Sequence, residues 1–231
     1  MKKIAIIVAG GTGQRMNMSI PKQFMLLQNK PILLHTLAAF KSAIPDIELI
    51  LVLPENQFDY WAKLVTQFPE IRTQTPHKLI AGGDTRFHSS LNGIQAIDEQ
   101  KDCLVAIHDG VRPLIDRNTI VNAFNEASIH GNAVVAVPSK DSIRLWNESE
   151  NAFLAVNRAN IRVIQTPQIF KLSSLTNAYS KGFSPNFTDD ASVVEQAGEK
   201  IHLVEGSYSN IKITTPEDLA LAEILKVETY E

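Results

Sequence analysis

The stretch that decides the fold is residues 4–13, IAIIVAGGTG, in which an apolar run leads directly into a glycine-rich turn. An apolar run without polar alternation is typical of a strand that is buried on both faces of a parallel sheet. Segments with a helical spacing of apolar residues, such as 31–42 and the segment around Trp61, separate this run from later ones. The later runs are at residues 48–53, 78–81, 103–107, 133–137 and 201–204. This alternation predicts an α/β fold with a mostly parallel sheet that helices cover on both faces.

The composition limits the class of protein and its surroundings. The chain has 231 residues, of which 44% are hydrophobic and 20% charged, so we expect one globular domain spanning residues 1–231. The formal net charge of −3 argues against wholesale binding of nucleic acid or of an anionic membrane. No run of about 18 apolar residues is present, so no membrane span is expected. Because Cys103 is the single cysteine and the six histidines show no ligand spacing, we expect no zinc and a cytoplasmic location.

One stretch, residues 138–162, does not follow the α/β alternation. Two short runs of mixed apolar and polar residues flank Asn147 to Asn151, which predicts a β-hairpin arm inserted into the domain. An isolated hairpin is only marginally stable in water, so the arm needs a surface to pack on. A second subunit is the simplest candidate.

The first candidate site follows the first strand, because open α/β sheets bind ligands at the carboxyl ends of their strands. Residues 9–16, AGGTGQRM, contain glycines whose backbone N–H groups can approach phosphate oxygens, and Arg15 and Lys22 supply positive charge for a polyphosphate. The loop is not a P-loop, since it lacks Gly-Lys-Ser/Thr, and a dinucleotide fingerprint fails at Met16. Taken alone, the loop is either a phosphate cradle or only a tight turn.

The second candidate site, His108-Asp109-Gly110-Val111-Arg112, follows the apolar run 103–107. A carboxylate beside a phosphate loop suits Mg2+, which prefers one or two carboxylates together with phosphate oxygens and water. Arg112 has the geometry to hold a second anion through two parallel hydrogen bonds. The alternative is a turn in which Asp109 caps a backbone group and Arg112 is a surface charge.

Three weaker signals lie elsewhere in the chain. The turn at residues 82–89, GGDTRFHS, either contacts a nucleobase or changes the chain direction with Asp84 as a helix cap. Residues 188–192, TDDAS, resemble a metal-binding carboxylate pair but fit the N-cap of a helix better. Arg158 and Lys212, each taken alone, are interpreted as surface charges.

Six motifs in a fixed order carry a resemblance that the composition does not. They are the glycine loop with Arg15 and Pro21-Lys22-Gln23, Gly82-Gly83-Asp84-x-Arg86, His108-Asp109-x-x-Arg112-Pro113, Gln165-Thr166-Pro167-Gln168, Thr188-Asp189-Asp190-Ala191 and Asn210-Ile211-Lys212-Ile213-Thr214. From Ile4 to the last helix the sequence resembles the 2-C-methyl-D-erythritol 4-phosphate cytidylyltransferase family of the non-mevalonate isoprenoid pathway. The resemblance implies a Rossmann-like nucleotidyltransferase domain.

The resemblance also implies a reaction and a set of roles. The phosphate of methylerythritol phosphate would attack the α-phosphorus of CTP with the help of Mg2+ or another divalent cation, and pyrophosphate would leave. Arg15 and Lys22 match positions that stabilise the charge of the transition state, Asp109 matches a Mg2+ ligand, and Lys212 matches a residue that steadies phosphates. Positions that surround the cytidine in the family fall on Ala9, Gly10, Gly11, Gly83, Asp84 and Ser89.

In the family the hairpin is an arm exchanged within a homodimer, and Arg112, Ser142 and Arg158 match positions that grip the acceptor. Many members have Asp-Arg where this chain has Asn157-Arg158. In this respect the arm is also similar to the sister family that makes CDP-ribitol from ribitol 5-phosphate. A non-catalytic nucleotide-binding module is a remote alternative, because such a module is expected to lose Arg15, Lys22 or Asp109.

Overall fold

The computed structural model describes residues 1–10, 20–99 and 101–228. The strands are β1 (Lys3–Val8), β2 (Leu26–Leu27), β3 (Lys30–Pro31), β4 (Glu48–Leu53), β5 (Lys78–Ala81), β6 (Leu104–Asp109), β7 (Asn132–Pro138), β8 (Ile143–Asn147), β9 (Ala152–Val156), β10 (Arg162–Lys171) and β11 (Leu203–Glu205). The α-helices are α1 (Ile32–Ala43), α2 (Phe58–Gln67), α3 (Glu70–Gln74), α4 (Arg86–Gln95), α5 (Arg117–His130), α6 (Leu172–Tyr179), α7 (Asp190–Gln196) and α8 (Pro216–Glu228).

The central element is a seven-stranded sheet of order β11-β7-β10-β6-β1-β4-β5. Strand β1 pairs in parallel with β4 and β6, β4 pairs in parallel with β5, and β7 pairs in parallel with β11. Strand β10 lies antiparallel between β6 and β7. The predicted α/β fold with a mostly parallel sheet is therefore confirmed.

Strand β10 is absent from the predicted set, because Pro167 and the polar residues around it break the apolar pattern. The pairing of β10 with β7 changes register between Ile164 and Gln168, and Pro167 lies in this interruption. Proline has no backbone N–H, so it is tolerated at a position where the strands do not pair. Gln165 and Thr166 are buried in the same interruption. Their position places polar side chains behind the end of β6.

The strand that carries the second candidate site is longer at its carboxyl end than predicted. Strand β6 includes His108 and Asp109, because these residues continue to pair with Ile7 and Val8 of β1. Cys103, at the start of the predicted run, precedes β6 and is fully buried. Strand β11 covers Leu203–Glu205 rather than 201–204, whereas β4 and β5 have the predicted bounds.

Helices cover both faces of the sheet, and the alternation of side chains along β1 shows how. Ala5 and Ile7 pack in one apolar cluster with α1, α2 and α5, while Ile4, Ile6 and Val8 pack in a second with α4, α6 and α7. A third, smaller cluster joins α8 to the segment that begins α1. Among the described residues, no helix is both long and apolar enough to cross a bilayer.

The residues predicted to form the arm contain an antiparallel pair, β8 and β9, in a separate two-stranded sheet. The pair leaves three large apolar side chains in solvent: Leu145 is 66%, Trp146 45% and Phe153 64% exposed. The rings of Trp146 and Phe153 meet edge to face with their centroids 4.9 Å apart. An apolar surface of this kind is typical of a segment that packs against another chain.

Candidate active site

A pocket of about 280 Å3 opens at the carboxyl ends of β1, β5 and β6. A turn follows each of these strands, and the first residue of each turn remains hydrogen-bonded to a neighbouring strand. The N–H donors, with bonds of 2.8 to 2.9 Å to strand carbonyls, are those of Ala9, Gly82 and Gly110. The described residues that line the pocket are Val8, Ala9, Gly10, Lys22, Gln23, Gly83, Asp84, Thr85, Arg86, Ser89, Asp109, Val111 and Lys212. The pocket lies where open α/β sheets bind ligands.

Most of the residues singled out from the sequence meet in this pocket: Ala9, Gly10, Lys22, Gly83, Asp84, Ser89, Asp109 and Lys212. Arg112 lies behind it and contacts Asp109. Ser142 and Arg158 are exposed residues of the arm segment and do not line the pocket of this chain. Gly11 and Arg15 lie outside the described residues.

Ser89 braces the glycine turn that forms one wall. Its hydroxyl is buried, accepts a hydrogen bond from the N–H of Gly83 at 3.2 Å and lies 3.3 Å from the carbonyl oxygen of the same residue. A Cβ atom added at Gly83 would lie 2.4 Å from the Cβ of His88, so the close approach of the turn to α4 requires glycine. The alternative in which Asp84 caps α4 is wrong, because Thr85 is the cap and accepts from the N–H of His88.

Gln23 lines the pocket, and its structural role is not evident from the sequence. Its side chain is 1% exposed and donates to the carbonyl of Ala9 at 3.0 Å and to Oε1 of Gln57 at 2.6 Å. These two bonds tie the short 3-10 turn that contains Lys22 to the end of β1. The Pro-Lys-Gln motif is the signal in the sequence, but the burial of the glutamine is not readable there.

The electrostatic centre of the site is Asp109, a carboxylate that is 7% exposed. Nζ of Lys212 lies 2.9 Å and Nε of Arg112 3.4 Å from Oδ2, and Nε of Arg86 lies 3.6 Å from Oδ1. Burial by itself would raise the pKa of Asp109, but the positive charges of Arg86, Lys212 and Arg112 outweigh it and hold the pKa well below its usual range. Asp109 is therefore ionised and shared among three cations.

Arg86 is held in place by a second buried carboxylate, Asp190, which is fully buried. Nη2 of Arg86 donates to Oδ2 of Asp190 at 2.6 Å. Oδ1 of Asp190 accepts from the hydroxyls of Ser90 at 2.8 Å and of Tyr179 at 2.6 Å. Because both oxygens of Asp190 have donors, the guanidinium is fixed with its other edge towards Asp109.

The two acidic residues at 189–190 have different structural roles. Asp189 is the N-cap of α7 and accepts from the N–H of Ser192 at 2.9 Å, which confirms the predicted capping role. Asp190 anchors Arg86, which the sequence analysis includes only as part of a motif. The pairing of Arg86 with Asp190 cannot be inferred from the sequence, because the two residues are 104 positions apart.

A neutral histidine, His108, helps to fix the backbone of Asp109 through Thr166. His108 is fully buried, and burial is the main reason why its pKa falls to about 3. Its Nε2 faces the carbonyl of Arg112 at 3.3 Å, which can only accept, so Nε2 carries the proton and Nδ1 accepts from Thr166 at 3.0 Å. Thr166 in turn accepts from the N–H of Asp109 at 3.1 Å. This chain of bonds fixes the backbone of Asp109.

We expect Asp190→Asn and Arg86→Gln to be strongly coupled in stability. Asp190→Asn removes the nearer of the two buried carboxylates that contact the guanidinium, so the free energy of unfolding should fall by about 3 kcal/mol. The double variant should lose less than the sum of the two single losses. The free energy of unfolding is measured by urea denaturation for the wild type, the two single variants and the double variant. The control pair is Lys78→Gln with Asp98→Asn, a surface contact of 2.9 Å whose carboxylate is 88% exposed, and it should show little coupling. Additive losses at Arg86 and Asp190 would contradict the anchoring role.

Comparison with known proteins identifies the family. The family model described as 2-C-methyl-D-erythritol 4-phosphate cytidylyltransferase matches residues 3–227. A relative of that name from Azobacteroides pseudotrichonymphae is 48% identical over 97% of this chain and 98% of its own length. Another from Bacteroides thetaiotaomicron is 41% identical over 97% of this chain and its full length.

Solved structures give the same result. The 4-diphosphocytidyl-2C-methyl-D-erythritol synthase of Anaerococcus prevotii superposes with a TM-score of 0.82 at 28% identity and covers 98% of both chains. The 2-C-methyl-D-erythritol 4-phosphate cytidylyltransferase of Thermus thermophilus superposes with a TM-score of 0.75 at 30% identity, over 97% of this chain and 98% of its own. The resemblance inferred from the six motifs is confirmed, and the chain belongs to the 2-C-methyl-D-erythritol 4-phosphate cytidylyltransferase family.

Proposed function

We propose that the pocket at the ends of β1, β5 and β6 is where this chain transfers CMP from CTP to 2-C-methyl-D-erythritol 4-phosphate. The products are 4-diphosphocytidyl-2-C-methyl-D-erythritol and pyrophosphate, the activity of its family. The observation that carries the proposal is the convergence of Lys22, Arg86 and Lys212 on a pocket with two glycine turns. Phosphoryl chemistry of this kind needs positioning and positive charge rather than a covalent intermediate.

The glycine turns are the proposed nucleotide-binding surface. We assign the cytidine to Ala9, Gly10, Gly11, Gly83, Asp84 and Ser89. The described members of this set line the pocket, and Ser89 fixes the turn at Gly83. The N-terminus of α4, which begins at Arg86, adds the positive end of a helix dipole to the same wall. Arg15 and Lys22 are the proposed catalytic residues that stabilise charge on the α-phosphate, and Lys212 steadies the phosphates.

Asp109 is the proposed ligand of Mg2+ or another divalent cation. The donors fit this ion, since Asp109 is a buried carboxylate that lines the pocket, and Asp84 is a second acidic residue among those that line it. The three cations around Asp109 repel a metal ion. Because the triphosphate is negatively charged and offsets these cations, we expect the metal to bind together with the triphosphate. A bound divalent ion would supply further electrostatic stabilisation of the phosphate charge.

The acceptor is the proposed ligand of Arg112, Ser142 and Arg158, with the arm at 138–162 supplied by the second subunit of a homodimer. The exposed apolar side chains of β8 and β9 support this arrangement, because a second copy of the chain would remove them from water. We further propose that residues 1–231 form one domain with this arm, and that the enzyme works in the cytoplasm.

The departure at Asn157 has a structural explanation. Its side-chain oxygen accepts from the N–H of Ala159 at 3.1 Å and caps the 3-10 turn at residues 158–160, as an aspartate oxygen also can. The exchange of Asp for Asn preserves the turn that presents Arg158. It therefore gives no reason to prefer ribitol 5-phosphate as the acceptor.

The acceptor is tested by pyrophosphate release from CTP and Mg2+ with either methylerythritol 4-phosphate or ribitol 5-phosphate. We expect release with the first acceptor only, because family membership assigns that substrate. Release with ribitol 5-phosphate alone would keep the nucleotide site and move the protein to the sister activity. No release with either acceptor would favour a binding module and contradict the proposal.

Lys22→Ala should lower kcat by about 100-fold or more while the affinity for CTP changes little. The reason is that a charge aimed at the α-phosphate acts mainly in the transition state. Steady-state kinetics and CTP titration measure the two effects separately. Lys30→Ala is the control, since Lys30 forms a surface contact with Glu70 and lies outside the pocket. A change in CTP affinity with kcat preserved would contradict the catalytic role.

Arg158→Ala should raise the KM for the acceptor, and co-expression with Lys22→Ala should restore part of the activity. In a mixed dimer with exchanged arms one site has both residues intact. At an acceptor concentration far below the KM of the Arg158→Ala protein, both homodimers have little activity, so a random mixture is expected to reach about a quarter of the wild-type rate. Arg144→Ala, in exposed β8, is the control for a lost charge on the hairpin. Absence of any rescue in dimers shown to be mixed would contradict the exchanged arm.

A further inference from the structure

Two histidines and a glutamate converge outside the pocket, at the end of α5. Oε2 of Glu126 lies 3.0 Å from Nε2 of His202 and 3.3 Å from Nε2 of His130. One ligand atom from each residue lies within 4.8 Å of the others. Among the side chains that the structure describes, no other group of three His, Cys, Asp or Glu residues is close enough to hold a metal ion.

This cluster lies at the opposite edge of the sheet from the pocket. Strand β7 begins at Asn132, and only the C-cap Gly131 separates it from His130, the last residue of α5. Strand β11 begins at Leu203, directly after His202. Both strands run parallel to β6, because β10 is antiparallel to β6 and β7. The cluster therefore sits at the amino ends of strands whose neighbours carry the pocket at their carboxyl ends.

The backbone holds the three side chains in place. Glu126 and His130 are four residues apart on α5 and so lie on the same face of the helix. Asn132, which is 4% exposed, accepts from the N–H of His202 at 2.8 Å and donates to the carbonyl of Lys200 at 2.9 Å. These bonds fix the segment that carries His202 against the end of α5.

We propose that Glu126, His130 and His202 form a binding site for a divalent transition metal of the zinc class. Two imidazoles and a carboxylate are a donor set that suits Zn2+, with the fourth coordination position left for water. Mg2+ and Ca2+ prefer oxygen ligands, so two imidazoles make the site a poor one for them. Tetrahedral coordination with bonds near 2.0 Å places ligand atoms roughly 3.3 Å apart. The two separations from Glu126 are close to that value, and the C-terminus of α5 favours a cation.

The rings of His130 and His202 are stacked, with centroids 3.8 Å apart and planes at 19°. Coordination of one ion requires the planes to open so that both Nε2 lone pairs converge. The side chain of His130 is 43% exposed, so it has room to turn on its solvent side. The histidines show no ligand spacing in the sequence, because His202 lies 76 residues beyond Glu126 and only the fold brings them together.

A metal at this position would cross-link α5 to the edge strand β11. Such an ion binds the folded chain and not the unfolded one, so it raises stability by mass action. The site is structural, since it is remote from the pocket along the strands.

The test uses the full-length chain without an affinity tag, stripped of metal and kept in excess Mg2+. We expect one Zn2+ per chain by calorimetric titration and a rise in Tm that a chelator reverses. His130→Asn and His202→Asn should each weaken Zn2+ binding by at least about tenfold. His77→Asn, which removes an imidazole bonded to Trp61, is the control and should retain the wild-type Zn2+ affinity.

Bound Co2+ provides a second readout, because its visible absorption reports tetrahedral coordination by nitrogen and oxygen donors. Loss of that spectrum in the exposed His130→Asn variant would support the site. Equal Zn2+ affinity in wild type, His130→Asn and His202→Asn would overturn the proposal, as would the absence of any bound Zn2+ in the wild type. Glu126 would then only be a hydrogen-bonding partner of two histidines.

Discussion

The buried carboxylate of Asp109 is the interaction on which the site depends. Without its negative charge, the side chains of Arg86, Arg112 and Lys212 would lose the counter-charge that they share, and their mutual repulsion would destabilise this arrangement. The fold places Asp109 there by extending β6 to the edge where the glycine turns of β1 and β5 also end. A strand that stopped at the predicted residue would leave the carboxylate on an unpaired turn.

The same arrangement supports the proposed binding of a triphosphate in this pocket. When no ligand is present, Asp109 and Asp190 balance part of the positive charge of Arg86, Arg112 and Lys212, and Asp190 also holds Arg86 in place. An incoming triphosphate offers these cations further negative charge at little cost of reorganisation, which is the property that makes electrostatic stabilisation effective in catalysis. The neutral His108 contributes by position and not by charge, since it holds Thr166 against the backbone of Asp109.

Local sequence patterns predict the parts of this structure that depend on neighbouring residues. The bounds of β4 and β5 follow from apolar runs, and the glycine turns follow from the glycines themselves. Strand β10 could not be predicted in this way, because its polar centre is stabilised by tertiary hydrogen bonds such as that from Asn210 to Thr166. The pairing of Arg86 with Asp190 and of His130 with His202 depends on strand order, which periodicity does not encode. Residues of four of the six motifs line the pocket, whereas the contacts of the anchoring residues behind it could be seen only in the fold.

The pKa of the Asp109 carboxyl group tests most directly whether three cations share this residue. It can be followed by NMR of the ligand-free protein labelled with 13C at the aspartate carboxyl carbons, with Asp109→Asn used to assign the resonance. We expect the pKa to lie well below the value of about 3.9 for an unperturbed aspartate, and to rise in Lys212→Ala because one of the cations is removed. A pKa at or above the unperturbed value in the wild-type protein would contradict the electrostatic organisation of the pocket.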